Sequence, residues 1–276
     1  MSDQSLRMIL DNLHDTASLT ATSERSSAGV ENTQRNERNR VWRSVDTATQ
    51  VVEGTLSVGA YVDCLAIIDH NLTAAGSLRI ELLSGETVVH DSGPLATAEI
   101  IPVGAWRVGI DPYGATYNDK LAVTITVIET PLVAITRYRL TLEDAGNPDG
   151  GMQIARIALG MAFQPTFNMS WGAQSDWVDK ATHEDSAGQT LRTINGGRPR
   201  RQVQFSLDWL QPGDRARLVE ELAQRGMMAD VFVDLYPHLA GLDRLAACFV
   251  GRLASGYGDT HTHPRNRKST LTITEV

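Results

Sequence analysis

Gly258-Asp259-Thr260-His261-Thr262-His263 is the stretch whose residue types come closest to a metal site. Two imidazoles at i and i+2 share one face of an extended strand, and Asp259 adds an oxygen. Structural zinc needs four ligands, and no third His or Cys is near. The following Pro264, Arg265, Asn266, Arg267 and Lys268 describe an exposed basic loop. Hard oxygens of the kind calcium takes occur at Asp144, Asn147 and Asp149, but their spacing fits no EF-hand loop. Asn147-Pro148-Asp149-Gly150 is a strong turn in its own right. The expectation is therefore no metal and no cofactor, with His261, His263, Asp144 and Asp149 as the candidates if one is bound.

Nucleophilic catalysis finds no support in the spacing. There is no Gly-x-Ser-x-Gly elbow, and neither Cys64 nor Cys248 has a neighbouring His. No Walker-type phosphate loop occurs, and no glycine fingerprint opens a helix. Glu184-Asp185 lies in a polar connector, where a solvated loop is the simpler reading. The expectation is a protein that is not an enzyme. Trp42, Trp106, Tyr113, Tyr117, Trp171 and Trp177 fall in or beside loops. Loop aromatics stack sugar rings, anchor protein interfaces or simply pack onto the end of a domain. Trp106, Tyr113 and Tyr117 are the candidates for a sugar platform.

The elements that must position these residues are short strands. QVVEGTLSV, CLAIID, SLRIELL, ETVVHD, LAVTITVI, ITRYRLTL and MQIARIAL have strand length and β-branched enrichment. Leu78, Ile80 and Leu82 alternate with Arg79 and Glu81. Leu121, Val123, Ile125 and Val127 alternate with Thr124 and Thr126. Turn signals separate the runs, among them Ser84-Gly85, Asp111-Pro112 and Gly146–Gly150. This predicts a mainly β chain: a jelly-roll or β-sandwich domain at residues 50–165, entered through an N-terminal segment at 1–49. Residues 16–40 of that segment are mostly polar and predict an arm ordered against a partner. A polar connector at 166–200 follows. A smaller β-rich α+β domain at 201–276 carries one helix at about 212–225, with Pro212 and Asp214 in its first turn and Gly226 at its end. Leu218, Val219, Leu222 and Ala223 form its apolar stripe, and Glu221 is spaced to pair with Arg225.

The chain of 276 residues is 42% hydrophobic and 21% charged, a globular composition with material for a core. A net charge of −8 argues against a phosphate-neutralising surface, and so against nucleic acid, despite basic runs at Arg35–Arg43 and Arg198–Arg201. Two distant cysteines in apolar runs predict reduced core thiols and folding in a reducing cytosol. The N-terminus has no signal-peptide pattern and no stretch approaches a membrane span, which predicts neither export by that route nor insertion in a bilayer.

Several stretches, taken in order, resemble tailed-bacteriophage tail-tip or baseplate proteins. LDNLHDTASLTATSE followed by VWRS resembles the entry of a galactose-binding-like (discoidin-like) β-sandwich. DCLAIIDHNLTAAGSLRIELLSG resembles its central segment, with a corner at His70-Asn71-Leu72. PVGAWRVGIDPYG and RYRLTLEDAGNPDGGMQIARIALGMAFQPTFNMSWG resemble features of the same phage proteins. The remainder is more loosely similar to the ring-forming domain of distal tail proteins, through an Arg-rich strand, a helix with DRARL and a terminal strand ending in Glu-Val. The resemblance implies a structural virion component in the tail tip or baseplate, made in the host cytoplasm. It also implies a homo-oligomeric ring, contacts with tube, hub and tape-measure proteins, and in some cases sugar binding, here to a host glycan. Catalytic residues are not implied. One departure stands out: typical distal tail proteins place the ring domain first, and here the sandwich leads. A carbohydrate-binding module acting on a cell-surface glycan is the alternative reading, and a metal-dependent hydrolase using His261 and His263 the second.

Overall fold

The computed structural model describes residues 5–35, 37, 40–73, 75–97, 124–185, 191–194, 197, 199–239, 242–262 and 266–276. The chain divides into two compact units: Met1–Phe163 with Val231–Phe249, and Gln164–Asp230 with Val250–Val276.

In chain order the first unit holds β1 (Arg7–Ile9), β2 (Ser18–Ala21), β3 (Trp42–Arg43), β4 (Gln50–His70) and β5 (Ser77–Ser84). It continues with β6 (Thr87–Asp91), β7 (Leu95–Ala96), β8 (Ile125–Glu143), β9 (Gln153–Gly160) and β10 (Ala162–Phe163). The second unit then takes β11 (Gln174–Val178), β12 (Thr182–Asp185), β13 (Leu191–Ile194), β14 (Arg200–Leu210) and α1 (Pro212–Arg217). The first unit regains the chain at β15 (Val231–Asp234) and α2 (Leu242–Ala247). Strand β16 (Cys248–Leu253) leads back to the second, which ends in β17 (Asp259–His261) and β18 (Arg267–Glu275).

The main sheet of the first unit runs β3-β9-β4-β8-β5-β6, with β2 on β4 and β7 on β5. Its pairings are antiparallel. QVVEGTLSV and CLAIID, expected as separate strands, are one strand, β4. Its register against β8 shifts between Thr55 and Ala60 and again between Val62 and Cys64, and such bulges bend a long strand without ending it. The expected alternation in β5 holds, with Leu78, Ile80 and Leu82 buried in the core. In LAVTITVI, residues 121–123 lie outside the described residues; Ile125 and Ile128, not Val127, are buried, which breaks strict alternation. Gly54 lies under the Tyr138 ring, where a Cβ would come within 2.2 Å of ring atoms.

The arm expected at residues 16–40 is folded onto its own sandwich wherever it is described. Strand β2 pairs with β4, and Val30–Gln34 forms a 3-10 turn with Val30, Asn32 and Thr33 buried. Ala17 and Val30 anchor it in the core, with Leu19 and Ala21 packed alongside, and hydrogen bonds add to that hold. Gln34 Nε2 donates to the carbonyls of His14 and Ala17, each at 2.8 Å, and Asn32 Nδ2 donates to Val41 O at 3.1 Å. Asn12 clasps β9, donating to Ile157 O at 3.0 Å and accepting from Leu159 N at 2.8 Å. Arg156 makes a two-pronged ion pair with Asp15 at 2.6 and 2.8 Å. Trp42, expected beside a loop, is fully buried core.

The domain boundaries also shift. MADVFVDLY was expected in the C-terminal domain, yet its strand β15 pairs with β1 in the first unit through Arg7 with Asp234 and Ile9 with Phe232, while Val250–Leu253 of ACFVGRL stay in the second unit as expected. The expected connector at 166–200 contains β11, an edge strand on β14, and the β12–β13 hairpin. In the second unit β14 pairs with β18 and β18 with β16. Val203, Phe205 and Leu207 are buried from β14, with Leu218 and Leu222 from the helical segment. That segment starts as α1 and winds into a π-helical stretch at Leu218–Ala223. Glu221 pairs with Arg217, one turn before it, at 3.0 Å, where the expected partner was Arg225, one turn after it. Cys64 and Cys248 are both buried free thiols.

Candidate functional site

Asp259 is held by two guanidiniums, Arg215 Nε and Arg267 Nη1, each at 2.6 Å. Burial alone would raise the Asp259 pKa, but the hydrogen bonds from Arg267 and Arg215 outweigh it and hold the carboxyl below its ordinary value. His261 is exposed at the end of β17, and His263 lies outside the described residues.

Asp144 and Asp149 work as turn-holders. Asp144 is buried and accepts from Thr73 N and Thr73 Oγ1, both at 2.8 Å, and from Asn147 Nδ2 at 3.0 Å. Asn71 Nδ2 donates to Asp149 Oδ2 and to Gly151 O, each at 2.9 Å, while Asn71 Oδ1 accepts from Gln153 N at 2.7 Å. The Asp144–Gly150 loop is thus clamped to the His70-Asn71-Leu72 corner by donors that occupy its oxygens. Among the described residues no group of three or more His, Cys, Asp or Glu is arranged to hold a metal ion. Trp106, Tyr113 and Tyr117, the candidate sugar platform, lie outside the described residues.

A cleft that spacing did not reveal is formed by the folded N-terminal segment. It has a volume of about 680 Å³, and Glu24, Arg25, Ser27, Glu31, Arg35 and Arg40 are among the residues lining it. A tight turn builds its rim. Ala28 N donates to Arg25 O at 2.9 Å, and Arg25 N and Arg43 N bond across to Arg43 O and Ala28 O. Ser27 sits at φ 73 in that turn, a conformation costly for a residue with a Cβ. Gly29 lies beneath the Glu31 carboxylate, whose Oε2 a Cβ would approach to 2.4 Å.

Arg25 is fixed by three carbonyls: Nε donates to Ser44 O at 3.0 Å, and Nη2 to Gly150 O at 3.0 Å and Val45 O at 3.4 Å. Glu24 Oε2 accepts from Val30 N at 3.3 Å, and Arg40 pairs with Glu37 at 2.5 Å. The cleft therefore offers guanidinium donors, carboxylate acceptors and serine hydroxyls on a turn with fixed backbone geometry. It can exchange hydrogen bonds with a polar ligand. Its residues were within the run expected as an arm. The signal that could have marked them is Ser-Ser-Ala-Gly ahead of Val30, a turn followed by an apolar anchor.

No protein-family model matches the chain, and no curated protein matches it. Solved structures resemble it weakly. One is a Clostridium perfringens module, CpGH89CBM32-5, in complex with GalNAc-beta-1,3-galactose: 10% identical, covering 54% of this chain and 99% of that one, with a TM-score of 0.40. A family 32 CBM of C. perfringens in complex with galactose is 15% identical over 54% and 96%, with a TM-score of 0.37. A fucose binding module of Streptococcus pneumoniae is 10% identical over the same shares, with a TM-score of 0.38. These neighbours are carbohydrate-binding modules. Likeness at this level carries no argument about what this chain binds, and none of the three is a phage tail protein.

Proposed function

We propose that the chain is a non-enzymatic glycan-binding protein whose β-sandwich unit carries the saccharide site. The observation that supports this is the open cleft of about 680 Å³, lined by arginine, glutamate and serine side chains. Saccharide hydroxyls are both donors and acceptors, and a site offering both kinds of partner on a fixed turn matches that chemistry. A glycan array probed with the whole chain, alongside Glu31→Ala and Trp106→Ala, tests the reading. Binding lost in Glu31→Ala but kept in Trp106→Ala assigns the cleft; the reverse assigns the loop aromatics. An array with no binding removes the reading.

A second reading is favoured by a separate observation in the other unit. Trp171, Trp177 and Trp209 are 103%, 55% and 48% exposed. Tryptophan is costly to leave in water and is enriched at the centres of protein interfaces. This supports a protein–protein interface on that unit, as the structural role in a phage tail tip or baseplate, with a ring and tube, hub and tape-measure partners, that the sequence resemblance implies would require. The two readings are compatible, since a tail-tip component that contacts the host surface needs both. Light scattering on the purified chain and peptide mapping of purified virions test assembly; a monomer at all concentrations, absent from virions, defeats it.

A further inference from the structure

The short turn Val30–Gln34 serves two neighbours. Glu31 and Asn32, with Arg35 just beyond, line the cleft. Thr33 and Gln34 are instead fastened to His14. Gln34 Nε2 donates to His14 O at 2.8 Å, and Thr33 Oγ1 lies 2.8 Å from His14 Nε2. The proton positions in this contact follow from its surroundings. Thr33 Oγ1 donates its one proton to Val30 O at 2.6 Å, so it must accept from Nε2–H. Neutral imidazole carries a single N–H, which leaves Nδ1 bare to accept from Tyr138 Oη at 2.5 Å. His14, Thr33 and Tyr138 are all fully buried.

We propose that His14 is an acid-operated latch on the cleft: a proton on Nδ1 frees the turn Val30–Gln34, and the wall formed by Glu31, Asn32 and Arg35 goes with it. A second N–H on the ring takes away the acceptor of the Tyr138 phenol in a place screened from water. It also sets a cation near Arg156, whose Nη1 donates to Thr33 O at 3.1 Å. The groups facing the ring are Tyr138 from β8, Arg156 from β9 and the uncharged Thr33 from the turn itself. Asp15, next in the chain, is paired with Arg156 at 2.6 and 2.8 Å. Burial, with the Arg156 charge, lowers the His14 pKa to about 3. Once released, the ring returns toward its ordinary value, so the open form takes up the proton first. Opening therefore grows more favourable as pH falls below that value. The latch acts on whatever ligand the cleft holds.

Hydrogen exchange of the full chain, corrected for its intrinsic pH dependence, tests this. The reporters are the amides of Asn32 and Arg35, which donate to Gly29 O and Asn32 O. Their opening should rise about thirtyfold from pH 7.5 to pH 5.0, the effect of one proton on a group so shifted. That window ends above the range in which ordinary carboxylates titrate. Amides of β5 should stay slower by about tenfold or more at both values, since the turn opens without the sheet. His14→Gln removes the titrating ring and should remove the rise. Nitrogen shifts of His14 in the labelled natural chain need no variant. They should show Nε2–H with a bare Nδ1 at pH 7.5, unchanged at pH 5.0. Three results overturn the latch: a rise kept in His14→Gln, reporters exchanging at the rate of β5, or a folded-state His14 that titrates within the window.

Discussion

His14 is fully buried between the N-terminal segment and the sandwich. Its Nδ1 lies 2.5 Å from Tyr138 Oη and its Nε2 lies 2.8 Å from Thr33 Oγ1. Burial, helped by the nearby Arg156 charge, lowers its pKa from 6.5 to about 3. Burial also lowers His70 to about 4. Both imidazoles bind protons more readily in the unfolded chain, so their contribution to stability is complete above pH 6.5. It is lost progressively as pH falls through the folded values. Replacing His14 by Ala leaves the Tyr138 and Thr33 hydroxyls short of a partner and opens a cavity, a cost of about 2–4 kcal/mol at pH 7. Thermal melts at pH 7 and pH 4.5 should show His14→Ala destabilised at the higher pH, with a smaller loss between the two than the natural chain. An acid loss as steep as the natural chain's would mean that His14 is not its source. None of this was readable from the sequence, where His14 stands in a run of small polar residues. Its partners come from positions 19 and 124 residues away.

Elements show where periodicity is informative and where it is not. Strands β5 and β14 were legible because each buries one face, so Leu78, Ile80 and Leu82, or Val203, Phe205 and Leu207, recur at every second residue. Residues 12–34 were not, because their few apolar anchors, Ala17 and Val30 among them, are joined by side-chain amides whose partners lie elsewhere in the chain. A buried ion pair was equally hidden at the edge of the second unit. Arg201 Nε and Nη2 bond to Glu275 Oε2 and Oε1 at 3.1 and 2.8 Å, joining the start of β14 to the end of β18, with both side chains buried. Breaking one partner of such a pair strands the other charge and costs about 3–5 kcal/mol. Glu275→Ala should therefore lower the urea midpoint sharply. Glu275→Gln, which keeps one acceptor for Arg201, should lower it less. Equal midpoints for Glu275→Ala and the natural chain would mean that the pair adds nothing to the sheet. Among the site candidates, the turn at Asp144–Gly150 was legible as a turn, since Asn-Pro-Asp-Gly has a local cause. The cleft was not, since its walls meet only after the segment folds back.

At the scale of the molecule, a reading along the chain assigns contiguous domains, but the chain crosses between its two units at 163/164, 230/231 and 249/250. Pairing of residues more than 200 apart leaves no periodic trace, and β1 is only Arg7-Met8-Ile9. The consequence is a test of which segments the sandwich unit needs. Val231, Phe232, Val233 and Leu235 are buried, and burying each such side chain contributes about 1.5–3 kcal/mol. Their removal also takes away Asp234 and Arg244, paired at 3.0 Å, and leaves Arg7 with Glu129 as its sole carboxylate among the described residues near it. Those losses are comparable with the whole stability of a domain, about 5–15 kcal/mol. A fragment of residues 1–163 should therefore aggregate or melt without a cooperative transition, although it contains the entire main sheet. Joining residues 231–249 to Phe163 through a flexible Gly/Ser linker should restore a cooperative melt, because β15 can then pair with β1. If 1–163 alone melts as cooperatively, and at the same temperature, as the joined chain, the returning segment is dispensable. The sandwich would then be the contiguous domain that the linear reading proposed.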